Sequence, residues 1–247
     1  MKLPSFTADA SERTQPDMPL PALAPAPHAH NVRDARRSMR GFSSQAVPTE
    51  MLERILIQAR QAPSGANLQP GKFIALQGGA RARLSANLIE AWRLGQHEKE
   101  DYDYFPQPMP LRLRRRQVAA AQALYGALGI AREDRAARDG QFEHNFCFFD
   151  APVALLVTID REFGSGGYMD LGMTLYGLML AAHAEGLGSC AIGALASYPT
   201  LIRATLGLDD SVSIVCGIAL GFPDPDAPVN GTITERSPLH EYFSVID

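Results

Sequence analysis

Arg36-Arg37-Ser38-Met39-Arg40-Gly41-Phe42 places three guanidinium groups within five residues. Such groups repel one another. They suit a dianionic partner such as a phosphate monoester, which arginine grips through paired N–H donors. Ser38 adds a hydroxyl donor. Alone, the segment reads equally well as a solvated basic surface at a helix end, so its meaning depends on what the rest of the chain supplies.

Two further stretches supply polar groups of other kinds. Ala62-Pro63-Ser64-Gly65-Ala66-Asn67-Leu68-Gln69-Pro70 closes a helix and enters a strand. It offers a hydroxyl, two side-chain amides and permissive backbone at Gly65, groups that hydrogen-bond a flat heteroaromatic ring or a sugar-like chain. Alone it is a turn with local capping. Gly186-Leu187-Gly188-Ser189-Cys190-Ala191-Ile192-Gly193 reads as a strand ending in glycine, where a backbone N–H can approach a ligand closely. Arg236-Ser237-Pro238-Leu239 lies in an extended arm that can return Arg236 to a phosphate.

Between these stretches the hydrophobic pattern outlines an alternation of helices and strands. Asn31 is a good N-cap for a short amphipathic piece to about Ser38. A helix from near Thr49 puts Met51, Leu52, Ile55, Leu56 and Ala59 on one face and must end before Pro63. Lys72 to Gln77 reads as a strand, followed by a helix to about Leu94 with Leu84, Leu88 and Trp92 in line. A helical stretch is expected from about Leu111 to Gly126. Val153 to Ile159 is a continuous apolar run, as in a buried central strand. Met169 to Glu185 is apolar nearly all round, as in a core helix or one at a subunit interface. Leu187 to Gly193 and Val212 to Leu220 read as two more strands.

The ends and the middle differ in composition. Residues 1–30 carry Pro4, Pro16, Pro19, Pro21, Pro25 and Pro27 and read as a tail, or as an arm on a partner subunit. Residues 31–247 form the domain, interrupted by an insertion at 96–145. That insertion holds Tyr102, Tyr104 and Phe105, together with Arg112, Arg114, Arg115 and Arg116. The last twenty residues are proline-rich and extended.

Composition removes several classes of function. With 247 residues, 46% hydrophobic and a formal net charge of -4, the chain suits one globular domain and gives no sign of nucleic-acid binding. No stretch approaches the apolar length of a membrane span, and the N-terminus lacks the apolar core of a secretory signal. The three cysteines show no metal spacing and read as reduced, mostly buried residues, in keeping with a cytoplasmic location. There is no P-loop, no nucleophile elbow and no zinc-protease motif. Gly164, Gly166 and Gly167 miss the dinucleotide spacing, because Met169 stands at the final glycine position, and read as a turn.

Taken in order, R-x-S-x-R-x-F, A-P-S-G-x-N-x-Q-P, G-L-G-S-C and the terminal R-x-P-L resemble the nitroreductase family of FMN-dependent flavoproteins, over residues 31–243. The resemblance implies an α+β fold, a three-layer α/β/α sandwich with a mixed sheet, and an intertwined homodimer sharing two FMN sites. It assigns Arg36, Arg37, Ser38, Arg40 and Arg236 to the phosphate and ribityl end of FMN. Pro63, Ser64, Gly65, Asn67 and Gln69 then come from the other subunit. Ile192, Gly193 and Ala194 supply backbone contact near the reactive flavin nitrogen. Tyr102, Tyr104 and Phe105 become stacking partners for an aromatic substrate, and Lys72 a candidate charge beside the ring. The implied activity is ping-pong reduction of nitroaromatic compounds to hydroxylamines or amines, with NADPH or NADH as a transient donor. No side chain acts as an essential acid, and no metal is expected. Quinone or enone reduction, dehalogenation or flavin breakdown on the same fold, and flavin binding without turnover, are the alternatives.

Overall fold

The computed structural model describes residues 36–246; the proline-rich tail at 1–30 lies outside the described residues. Four strands form one sheet in the order β1-β2-β4-β3: β1 (Lys72–Leu76), β2 (Val153–Asp160), β3 (Gly188–Ile192) and β4 (Val212–Gly221). All three pairings are antiparallel. Parallel pairing among the described residues is confined to a single bridge, where Ser38 meets Ser189.

The centre of the sheet follows from its apolar runs. Between its first and last residues, β2 is buried on both faces, as a continuous Val/Ile/Leu run requires. Its side chains alternate between two cores. Ala154 and Leu156 join Leu84, Leu88 and Ala91 of α2 (Gly78–Arg93) and Ile202 of α6 (Pro199–Leu206). Leu155, Val157 and Ile159 join Ile55 and Ala59 of α1 (Thr49–Ala59) and Leu171, Leu178, Ala181 and Ala182 of α5 (Ser165–Ala184). Helices thus cover both faces, which gives the three-layer sandwich.

The register of β2 against β4 slips once. Val157 pairs with Cys216 and Thr158 with Ile214, so Val215 is skipped. The Tyr102 hydroxyl donates to the Val215 carbonyl at 2.8 Å, satisfying an acceptor at the bulge.

Several expectations shift. Arg36 to Ser38 are extended, not helical; Ser38 is drawn into the bridge with Ser189, and Met39 N–H donates to the Ser189 carbonyl at 3.0 Å. Gly164 precedes α5, and Gly166 and Gly167 lie in its first turn, so these glycines open a helix where a turn was expected. The insertion carries α3 (Leu111–Ala127), as expected, and also α4 (Arg135–Glu143), a short and largely polar helix that was not expected. Among the described residues, no helix is long and apolar enough to cross a membrane.

Candidate functional site

The arginine segment lies along the outer edge of β3. With Ser38 beside Ser189, Gly193 stands four residues further along, roughly 13 Å at strand rise. The anionic end of a ligand and its ring end can therefore share one strand edge.

The arginines converge. Arg36, Arg37, Ser38 and Arg40 line one cavity with Arg236, together with Tyr176 of α5 and Thr232, Ile233 and Thr234. Its volume is about 430 Å³. None of these four arginines forms an ion pair with a carboxylate among the described residues. Arg236 donates within its own turn, to the carbonyl and hydroxyl of Thr234. The Nε of Arg36 is buried with no hydrogen-bond partner. A buried donor left unmade is costly, and an anion in the cavity would supply the missing acceptor. The donor set fits a phosphate group.

The segment is clamped from behind by a residue with no signal in the sequence. The Asn230 amide accepts from the backbone N–H groups of Arg40 (2.9 Å) and Gly41 (3.0 Å) and donates to the Gly41 carbonyl (2.8 Å). Gly41 is required there: a Cβ would stand 2.4 Å from that of Ala227. Asn230 sits in a proline-rich arm whose pattern gives no periodicity to read.

The Pro63–Gln69 loop is built around a short 3-10 turn, Gly65–Asn67. Left-handed backbone occurs at Ala66, Asn67 and Gln69, whereas Gly65, read as the permissive position, has an ordinary φ. What Gly65 contributes is its N–H, which donates to Asp170 on α5 at 2.9 Å. The Ser64 hydroxyl accepts from Gln69 N–H at 2.9 Å, and the Asn67 side chain is exposed. A carboxylate on an otherwise apolar helix was the signal that could have exposed Asp170. Lys72, beyond the loop, pairs with Asp160 at 3.6 Å on the surface.

Within one protomer the loop and the arginines lie apart. Thr174 lines the cavity beside Ser64 and Gln69, while Tyr176 lines the arginine cavity. Two helical residues are separated by about 200° around the axis, so the cavities flank α5 on opposite sides.

At the ring end, Tyr104 lies directly over Gly193. A Cβ at Gly193 would meet the Tyr104 ring and hydroxyl at 2.9 Å. Burial raises the Tyr104 phenol above its ordinary range, keeping it neutral. Phe105 packs against Tyr104 with centroids 4.7 Å apart and ring planes tilted by 59°, and the outer part of both rings is open to solvent. Tyr102 differs from the stacking role expected of it. Its ring is half-buried against Tyr168 (4.9 Å) and its hydroxyl is committed to the sheet bulge. The structure thus brings Arg36, Arg37, Ser38, Arg40 and Arg236 together at one end of the edge and Ile192, Gly193, Ala194 and Tyr104 at the other. It leaves the Pro63–Gln69 loop across α5.

An α/β/α sandwich with an arginine-lined anion cavity at a sheet edge defines the class. The family model described as "Nitroreductase family" matches residues 34–222, and the chain belongs to that family. It is 36% identical over 217 residues to a chloronitrobenzene nitroreductase of Comamonas testosteroni, covering 87% of this chain and 95% of that one. It is 35% identical over 216 residues to a nitrobenzene nitroreductase of Ectopseudomonas oleovorans, covering 87% and 95%. The structure of the FMN-dependent nitroreductase NfnB from Mycobacterium smegmatis in complex with NADPH superposes with a TM-score of 0.82 at 30% identity, covering 89% of this chain and 98% of that one.

Proposed function

We propose that the chain is an FMN-dependent oxidoreductase that draws electrons from NADPH or NADH and reduces nitroaromatic compounds, acting as a homodimer. The observation that carries the reading is the cavity of four arginines with the unpartnered, buried Nε of Arg36. Relatives that match nearly the whole chain are named for nitroaromatic reduction, and the NfnB relative was solved with NADPH.

FMN, when bound, supplies the redox chemistry that the side chains of the site lack. The protein's part is to hold and orient. Arg36, Arg37, Arg40 and Arg236 grip the phosphate through charge-assisted hydrogen bonds, with Ser38 as a neutral donor. Ile192, Gly193 and Ala194 present backbone to the ring, which Gly193 permits by carrying no side chain. Tyr104 and Phe105 wall the space in which an aromatic acceptor stacks. Tyr102 anchors them by tying its own segment to β4.

A second copy of the chain completes the site in this reading. Met169, Met173 and Tyr176 are exposed and share one stripe of α5 at helical spacing. Tyr242, Phe243, Val245 and Ile246 of the C-terminal arm are exposed as well. Exposed apolar side chains grouped along one helix stripe fit an interaction surface. A partner packed on the α5 stripe can bring its Pro63, Ser64, Gly65, Asn67 and Gln69 towards the arginine side of the helix. The three cysteines are free thiols, in accord with a cytoplasmic location.

The test is turnover. Purified protein given NADPH and a nitroarene is expected to form the hydroxylamine or amine. Oxidation of NADPH with the nitroarene left intact would refute the substrate assignment.

A further inference from the structure

The segment that carries Tyr104 and Phe105 has no backbone ladder of its own. Among the described residues, no backbone–backbone hydrogen bond involves 97–109. Side chains place it instead. The Glu98 carboxylate accepts from the N–H groups of Thr200 (2.7 Å) and Leu201 (3.1 Å) in the first turn of α6. Tyr198, at the N-cap, provides no side-chain bond, so these helix-start donors depend on Glu98. The Ser197 hydroxyl donates to Glu100 at 2.8 Å. Asp101 and Tyr102 then fasten the segment to β4 through the Ile214 N–H and the Val215 carbonyl.

These anchors keep a register. Glu98 meets Thr200, Glu100 meets Ser197, and the Tyr104 ring lies over Gly193. One stretch ascends while the other descends by near-equal steps, so 98–104 runs antiparallel along 193–200 without forming a strand. The second stretch starts with the 3-10 turn Gly193–Ser197, directly after β3. In the FMN reading above, on which this inference rests, Gly193 presents its backbone to the flavin ring. The two carboxylates thus tie the wall of the acceptor space to its floor. A slip of one residue along an extended chain moves a side chain by roughly 3.3–3.6 Å. Such a slip would carry the Tyr104 ring off Gly193.

We propose that Glu98 and Glu100 are positioning residues for the aromatic acceptor. They set the register of the Tyr104 wall against the Gly193 turn, and with it the shape of the slot over the flavin. Their action passes through Ser197 and the start of α6 to Tyr104. The consequence is selective. Acceptor affinity depends on the two carboxylates, and FMN affinity does not.

The full-length proteins compared are wild type, Glu98→Ala, Glu100→Ala, Glu100→Gln, Ser197→Ala and Tyr104→Ala, with Glu100→Ala also combined with Ser197→Ala and with Tyr104→Ala. FMN affinity is read by flavin fluorescence. Nitrobenzene affinity is read by perturbation of the oxidised flavin's absorbance with no reductant present, and folding by thermal melting. Glu100→Ala and Ser197→Ala are each expected to weaken nitrobenzene about 3- to 10-fold, as loss of one charge-assisted hydrogen bond implies, with FMN affinity near wild type. The Glu100–Ser197 double is no worse than either single, and Glu100→Ala adds nothing to Tyr104→Ala. Glu98→Ala follows the same pattern with a lower melting temperature, because it also uncaps α6. Glu100→Gln, whose amide oxygen still accepts from Ser197, binds nitrobenzene near the wild-type level. Unchanged nitrobenzene affinity in Glu98→Ala or Glu100→Ala, equal loss of FMN and nitrobenzene, full additivity with Tyr104→Ala, or no rescue by Glu100→Gln would overturn the proposal. If Glu100→Ala does not fold, Ser197→Ala decides on the same criteria. A folded wild type that binds no FMN, or binds FMN but no nitrobenzene, removes the reading above, and the proposal with it.

Discussion

At the scale of single residues, Arg36 shows how a binding site differs from a packed core. Its Nε is buried without an acceptor, a cost the fold does not recover by itself. Replacing Arg36 and Arg40 with alanine therefore leaves a folded protein but weakens FMN about 100-fold or more, the loss of two charge-assisted contacts. Equilibrium dialysis measures it; flavin retained at wild-type affinity would refute the phosphate assignment. The arginines were legible in the sequence only in company: alone the cluster reads equally well as a basic surface, and the ordered motifs that follow turn it into one part of a shared site. Asn230 was not, because an amide's value lies in which backbone groups the fold presents to it.

At the scale of elements, the 96–110 segment hangs on Asp101. Its buried carboxylate meets Arg203 at 2.6 Å and Arg161 at 2.7 Å and accepts from Ile214 N–H at 2.9 Å. Burial alone would raise its pKa; the Arg203 hydrogen bond, the Ile214 N–H and the charges of Arg203 and Arg161 outweigh it and hold the group below the ordinary carboxylate range. A depressed folded-state pKa means that the contribution is present above the unfolded carboxylate value and is lost as the pH falls through the folded one. Asp101→Ala leaves the buried Arg203 with only the exposed Asp210 carboxylate and the Val212 carbonyl and is expected to cost about 3–5 kcal/mol, read by urea denaturation at neutral pH, with the gap to wild type closing in acid. An unchanged denaturation midpoint would contradict this. The neighbouring Tyr104 sits over Gly193, so Tyr104→Ala should raise KM for nitroarenes several-fold while FMN stays bound. An unchanged KM would remove Tyr104 from the acceptor site. The strands and long helices were legible here because burial imprints a period on the sequence: β2 is a continuous apolar run and α1 an amphipathic stripe. Helix α4 escaped because it is only nine residues long and sets a single large apolar side chain, Phe142, against the core, too little to show a period. The bulge at Val215 escaped because its partner, Tyr102, is far away in sequence.

At the scale of the whole molecule, one protomer presents half of each proposed site on either side of α5. The apolar stripe of that helix was visible in the sequence as a surplus of hydrophobic positions beyond one face. Which residues of it stay bare emerged only from the packing of its opposite side on the sheet. Met173→Glu places a charge in the middle of the bare stripe and is expected to give a folded monomer that loses flavin, as seen by light scattering and absorbance. A flavin-loaded monomer would refute the shared site. The most direct test of the central claim is the absorption spectrum of the purified chain during anaerobic titration with NADPH. Flavin bands near one FMN per chain are expected, bleaching on titration and returning when a nitroarene is added. A folded protein with no flavin bands, unable to take up added FMN, would contradict it.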